Sequence, residues 1–81
     1  MTMSREAARA ALERVFREVF DDDDIELSEN LSREDVPTWD SLGHIRLVAA
    51  IEESFGLSFT IEQIEKMTSA VFILDMVTGQ P

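Results

Sequence analysis

The chain has 81 residues, 44% of them apolar and 30% charged, which suits a single small hydrophobic core with a soluble surface and leaves no room for a second domain. It has no cysteine and one histidine, so disulfide frameworks, thiolate nucleophiles, iron–sulfur clusters and zinc sites built from several imidazoles are excluded, and no metal site is expected. Seventeen acids against seven bases give a net charge of −10, so nucleic acid and anionic lipid should be repelled and basic proteins are the expected partners.

The apolar runs are far shorter than the ~20 residues needed to span a bilayer, and no signal-peptide stretch opens the chain. The expectation is a cytoplasmic monomer without membrane insertion, with residues 1–81 forming one domain. The charge is uneven: residues 1–20 sum to +1, whereas residues 21–40 sum to −8.

In chain order, Ser4 can cap a first helix whose apolar positions Ala8, Ala11, Leu12, Val15, Phe16 and Val19 recur at helical spacing. Asp21 to Asp24 follow where the helix dipole disfavours negative charge, and should stop it. The segment from Ile25 to Trp39 reads as a long structured loop containing Pro37, with Ile25, Leu27, Leu31 and Val36 turned inward. Loops of this length in small domains are often functional.

Asp40 is a good N-cap for a second helix from Ser41 to about Phe55, stopped by Gly56. Leu47, Val48, Ile51 and Phe55 form its core stripe, while Leu42, Ile45 and Ala49 form a second apolar stripe that must pack on another element or meet a partner. Thr60 with Gln63 makes a capping box and Phe59 with Ile64 a hydrophobic staple, so a short helix begins at Ile61 and ends near Met67. Thr68 or Ser69 caps a last helix with Val71, Phe72 and Met76 facing inward. No run alternates with period two, so the fold class is all-α: a small four-helix bundle of three longer helices and one short one.

A catalytic reading fails on geometry. Ser41 and His44 share a helix face, but Asp40 precedes them as a cap and is not placed to orient the imidazole, and no glycine-rich segment offers an oxyanion hole. The four aspartates lack the glycine a calcium loop needs at its sixth position. The protein is not expected to be an enzyme.

Trp39-Asp40-Ser41-Leu42, running into Ile45, Leu47, Val48, Ile51, Glu52, Glu53 and Phe55-Gly56, resembles the acyl carrier protein family, whose Asp-Ser-Leu motif opens its second helix. Glu65-Lys66-Met67-Thr68 is similar to the link between that family's third and fourth helices, and the likeness runs from about residue 4 to 78. The resemblance implies that Ser41 carries 4'-phosphopantetheine, with Asp40 and Leu42 beside it, and that acyl groups ride on the arm as thioesters. A serine at a helix N-terminus suits an attached phosphate, because unpaired backbone N–H groups and the positive dipole end lie there. The implied partners are a phosphopantetheinyl transferase and acyl-transferring or acyl-modifying enzymes with basic docking patches, meeting Leu42, Ile45, Arg46, Ala49, Glu52 and Glu53.

Two features depart from the family pattern. Arg46 stands where an acid is common, and Val36-Pro37-Thr38-Trp39 replaces the usual glycine and aliphatic residue before the motif. The first makes the expected partner surface less uniformly negative than usual, and the second points away from a housekeeping fatty-acid role and toward a specialised lipid, polyketide or amino-acid-derived pathway. The alternative is an unmodified acidic scaffold of degenerate carrier type. Trp39 is expected to pin the loop by packing, and His44 to be partly buried.

Overall fold

In the computed structural model, which describes residues 4–28 and 30–79, four helices follow in order: α1 (Arg5–Phe20), α2 (Ser41–Phe55), α3 (Ile61–Lys66) and α4 (Ala70–Val77). The chain is the expected small all-α bundle. Among the described residues the nearest thing to a strand is an isolated antiparallel bridge between Ser32 and Ser69.

α1 begins where Ser4 Oγ accepts the Ala7 N–H, and it buries Ala8, Leu12, Val15, Phe16 and Phe20 along one face. It ends at Asp21, which takes a left-handed conformation (φ 50°) and returns its N–H to the Arg17 carbonyl. The first of the four aspartates therefore supplies the helix stop, a conformation aspartate tolerates better than most side chains.

The connection from α1 to α2 is pinned along its length. Ile25, Leu27, Val36 and Trp39 are buried and Leu31 is half-buried. Its backbone finds partners elsewhere in the fold. Arg17 Nε donates to the Ile25 carbonyl (2.8 Å), and Glu13 accepts the Leu27 N–H (2.9 Å). On the opposite side, Leu31 O accepts the Ala70 N–H (2.8 Å) and Arg33 N–H donates to Thr68 O (2.9 Å). A 3-10 turn, Arg33–Asp35, begins at the last of these ties and is entered through a Ser32 N–H to Asp35 Oδ2 bond.

α2 starts on Asp40 and ends at Gly56, whose φ of 65° is the left-handed conformation a helix stop requires. It buries Leu47, Val48 and Ile51 against Leu12 and Phe16 of α1, Met67 and Ile73 in a single cluster, with Phe55 partly buried beside them. Thr60 and Gln63 form the expected capping box of α3 through bonds of 3.1 and 2.9 Å.

α4 corrects the sequence reading. Ser69 is the cap and Phe72 packs partly buried against the core as expected, but the fully buried residues are Ala70, Ile73 and Leu74, Met76 is half-buried and Val71 is 37% exposed. Residues 70–74 are all apolar, so periodicity does not choose among faces. The start of α4 is tied from outside, by the Ala70 N–H bond to Leu31 in the loop.

Candidate functional site

The start of α2 brings the motif residues together. Asp40 is extended, its carboxylate accepts the Gly43 N–H at 2.8 Å, and its carbonyl accepts the His44 N–H at 2.7 Å as the first helical bond. Ser41 is thus the first residue of the helix, and it is exposed. The Ser41 and Leu42 N–H groups precede the first intrahelical bond, so the positive end of α2 lies beside the Ser41 hydroxyl. Leu42 is 66% exposed.

Gly43 is buried, and a β-carbon there would collide with the Thr38 carbonyl oxygen and lie 3.1 Å from Phe20 Cε1. The loop backbone therefore rests on the first turn of α2 with no space between. The carbonyl of Trp39 is held by Arg33 Nε at 2.8 Å. The Trp39 ring is buried edge-on to Phe16, at 5.2 Å between centroids, and Phe20 lies alongside at 6.1 Å.

His44 is 7% exposed and completes this arrangement. Trp39 Nε1–H donates to His44 Nδ1 at 2.9 Å, and His44 Nε2 lies 2.7 Å from the Ile64 carbonyl oxygen in α3. Asp40 is engaged with Gly43, and His44 faces inward, so Asp40, Ser41 and His44 do not form a relay. Among the described residues no cluster of three or more His, Asp or Glu is placed to hold a metal, and no helix is long and apolar enough to cross a membrane.

The second stripe of α2 faces outward. Leu42, Ile45, Arg46, Ala49 and Glu53 are all exposed at spacings of three and four, Ile45 to 64%. Two residues of the expected docking set have structural partners as well. Arg46 Nη2 donates to the Val19 carbonyl in the last turn of α1 (3.2 Å), and Glu52 accepts the Phe59 N–H ahead of α3 (2.9 Å). The arginine thereby satisfies a helix-end carbonyl at the negative pole of α1. Neither of two surface depressions, one lined by Ser32, Arg33, Glu34, Thr68 and Ser69 and the other by Arg9, Glu13, Arg17, Glu26, Leu27 and Ser28, includes Ser41.

No protein-family model matches the chain, and no curated protein does. Among solved structures, the chain is similar to a holo acyl carrier protein of Geobacter metallireducens solved by solution NMR. The two share 33% identity over 89% of this chain and 83% of that one, with a TM-score of 0.82. The chain belongs to the acyl carrier protein family. Its role is accordingly that of a carrier protein.

Within this carrier, sequence reasoning did not single out Arg33, Gly43, Glu13 or Arg17, although the first two fix the backbone on either side of Asp40. Gly43 left a signal: a glycine in a helix's first turn is unfavourable by propensity and calls for a packing reason. Arg33 left none, since an arginine in an acidic loop reads as a solvated charge.

Proposed function

We propose that this acyl carrier protein bears 4'-phosphopantetheine on Ser41 through a phosphodiester and presents acyl or related groups to partner enzymes. The observation that supports this most directly is the exposure of Ser41 at the first position of α2. The residues present fit the group. An exposed hydroxyl is available for the ester, the neighbouring Ser41 and Leu42 N–H groups favour a phosphate, and exposed Leu42 offers apolar contact to the arm. The bound group would supply a terminal thiol for thioester formation, which this cysteine-free chain lacks.

The chain's own residues present and orient. Asp40 holds the helix start through Gly43, Trp39 and Arg33 hold the backbone that leads into it, and Leu42, Ile45, Ala49 and Glu53 meet the partner. Arg46 and Glu52 contribute to that face from positions tied to α1 and to the approach to α3. The partners are a phosphopantetheinyl transferase and acyl-transferring or acyl-modifying enzymes with basic docking patches. The pathway is a specialised lipid, polyketide or amino-acid-derived one, in the cytoplasm, and the carrier acts as a monomer.

Co-expression with a broad-specificity phosphopantetheinyl transferase tests the assignment. Intact mass should rise by one arm in the wild type and stay unchanged in Ser41→Ala. A wild type that gains no mass with several such transferases, or a Ser41→Ala variant that still gains it, refutes the reading.

A further inference from the structure

Leu42, Arg46, Ala49 and Glu53 recur at spacings of four, three and four, so they form one line along α2, and all four are exposed. From the Ser41 end the line reads apolar, cation, apolar, acid. Arg46 therefore stands inside the apolar stripe and not at its edge. A partner that covers Leu42 and Ala49 also covers Arg46.

The cation is held in that place. Arg46 Nη2 donates to the Val19 carbonyl at 3.2 Å, which ties the guanidinium to the seam between α1 and α2 and leaves its other N–H donors for a partner. The carbonyl is neutral, and among the described residues Arg46 makes no ion pair, so no direct contact cancels its charge. A guanidinium also stays charged at every pH at which the fold survives. Residues 41–51 of α2 hold no acid, and Glu52 and Glu53 come only after them. The other nearby acids lie off this line: Asp40 is occupied by the Gly43 N–H, and Asp21 to Asp24 follow the end of α1 in solvent.

Long-range attraction and close contact thus make different demands. A net charge of −10 draws basic surfaces from a distance. Once an interface closes over the stripe, the guanidinium loses water and needs an acceptor, and a lysine or arginine set opposite it would leave two cations desolvated together. Attraction brings many basic proteins near; the sign at position 46 separates them.

We propose that Arg46 is a specificity-determining residue of the docking face. It admits enzymes that set a carboxylate against the middle of the α2 stripe and a base about 10 Å further along the helix, against Glu53, and it turns away enzymes whose patch is basic throughout. This rests on α2 being the face that meets partners, as proposed above, and not on the modification of Ser41.

The probe is a phosphopantetheinyl transferase whose carrier-facing patch is basic throughout. The carrier is the full chain with Ser41→Ala, so binding is read without transfer. Isothermal titration at about 20 mM sodium chloride should find Arg46→Glu bound about tenfold more tightly than the arginine parent, with Arg46→Gln in between and Arg46→Lys unchanged. At about 300 mM the gain should shrink to about twofold. Replacing the basic residues of the patch by glutamate one at a time should give the mirror result. One replacement should tighten binding of the carrier that keeps Arg46 by about fivefold, a measurement that needs no change at position 46 to fold. The proposal is overturned by Arg46→Glu binding no tighter than its parent, by an equal and salt-independent gain in Arg46→Gln, or by a patch in which no glutamate tightens binding. A carrier that binds no such transferase refutes the docking face and this proposal with it. Sign-dependent binding in a wild type that gains no mass refutes the Ser41 assignment alone.

Discussion

Gly43→Ala tests whether the loop really rests on α2 at the proposed attachment point. In an ordinary helix interior the substitution stabilises by about 0.5–1 kcal/mol, because alanine loses less backbone freedom on folding. Here the added carbon strikes the Thr38 carbonyl oxygen and lies 3.1 Å from Phe20 Cε1 and 3.2 Å from Asp40 Oδ1. A side-chain tip can swing aside, but a carbonyl moves only with its backbone. Displacing Thr38 also drags Trp39, which is held by Arg33, Phe16 and His44. Overpacking at such a site costs about 1–3 kcal/mol. Set against the propensity gain, the expected net loss is about 1–2 kcal/mol. For a chain of this size that lowers the melting temperature by about 5–15 °C, readable by circular dichroism. Trp39 emission should shift as well, since the tryptophan is dragged along. A variant that melts at or above the wild-type temperature would show that the loop has slack at Thr38, and the account of how Ser41 is presented would fall with it.

Leu42→Ser and Ile45→Ser should each leave stability within about 0.5 kcal/mol, because both side chains are mostly in solvent. Each should weaken binding to an enzyme that acts on the loaded carrier by about tenfold, as expected for an apolar residue at the centre of an interface. Isothermal titration against such an enzyme, beside a urea melt, separates the two effects; a large stability loss with unchanged affinity would make the stripe core packing instead. Raising sodium chloride from about 20 mM to about 300 mM should increase the melting temperature, because screening weakens repulsion within the 21–40 segment, whose charge sums to −8. A melting temperature indifferent to salt would mean that these acids are already balanced by bases such as Arg17 and Arg33.

The parts of this fold that could be read from sequence are those whose causes are local. Ser4, Asp40, Thr60 with Gln63, and Gly56 each act within one helical turn, and the helix boundaries they imply are the ones observed. The two faces of α2 were separable because His44, Arg46, Glu52 and Glu53 punctuate the apolar positions. In α4 nothing punctuates residues 70–74, and the start of the helix is tied to a loop almost forty residues earlier in the chain while Ala70, Ile73 and Leu74 join the common core. The loop was illegible for the same reason. Its inward residues were recognisable, but its path is drawn by Glu13 and Arg17 of α1 on one side and by the Thr68–Ala70 backbone on the other.

The site divides along the same line. Asp-Ser-Leu marks which hydroxyl is offered, because an N-cap followed by an exposed serine is a property of three adjacent residues. How that hydroxyl is offered depends on contacts that reach across the fold: the Thr38 backbone against Gly43, Arg33 on the Trp39 carbonyl, and His44 reaching to Ile64. A chain with the same tripeptide but without these supports would still start a helix at the serine, since the Asp40 cap is local. It would lose the fixed angle between that helix start and the loop feeding it, and with it the shape in which the proposed attachment site is presented.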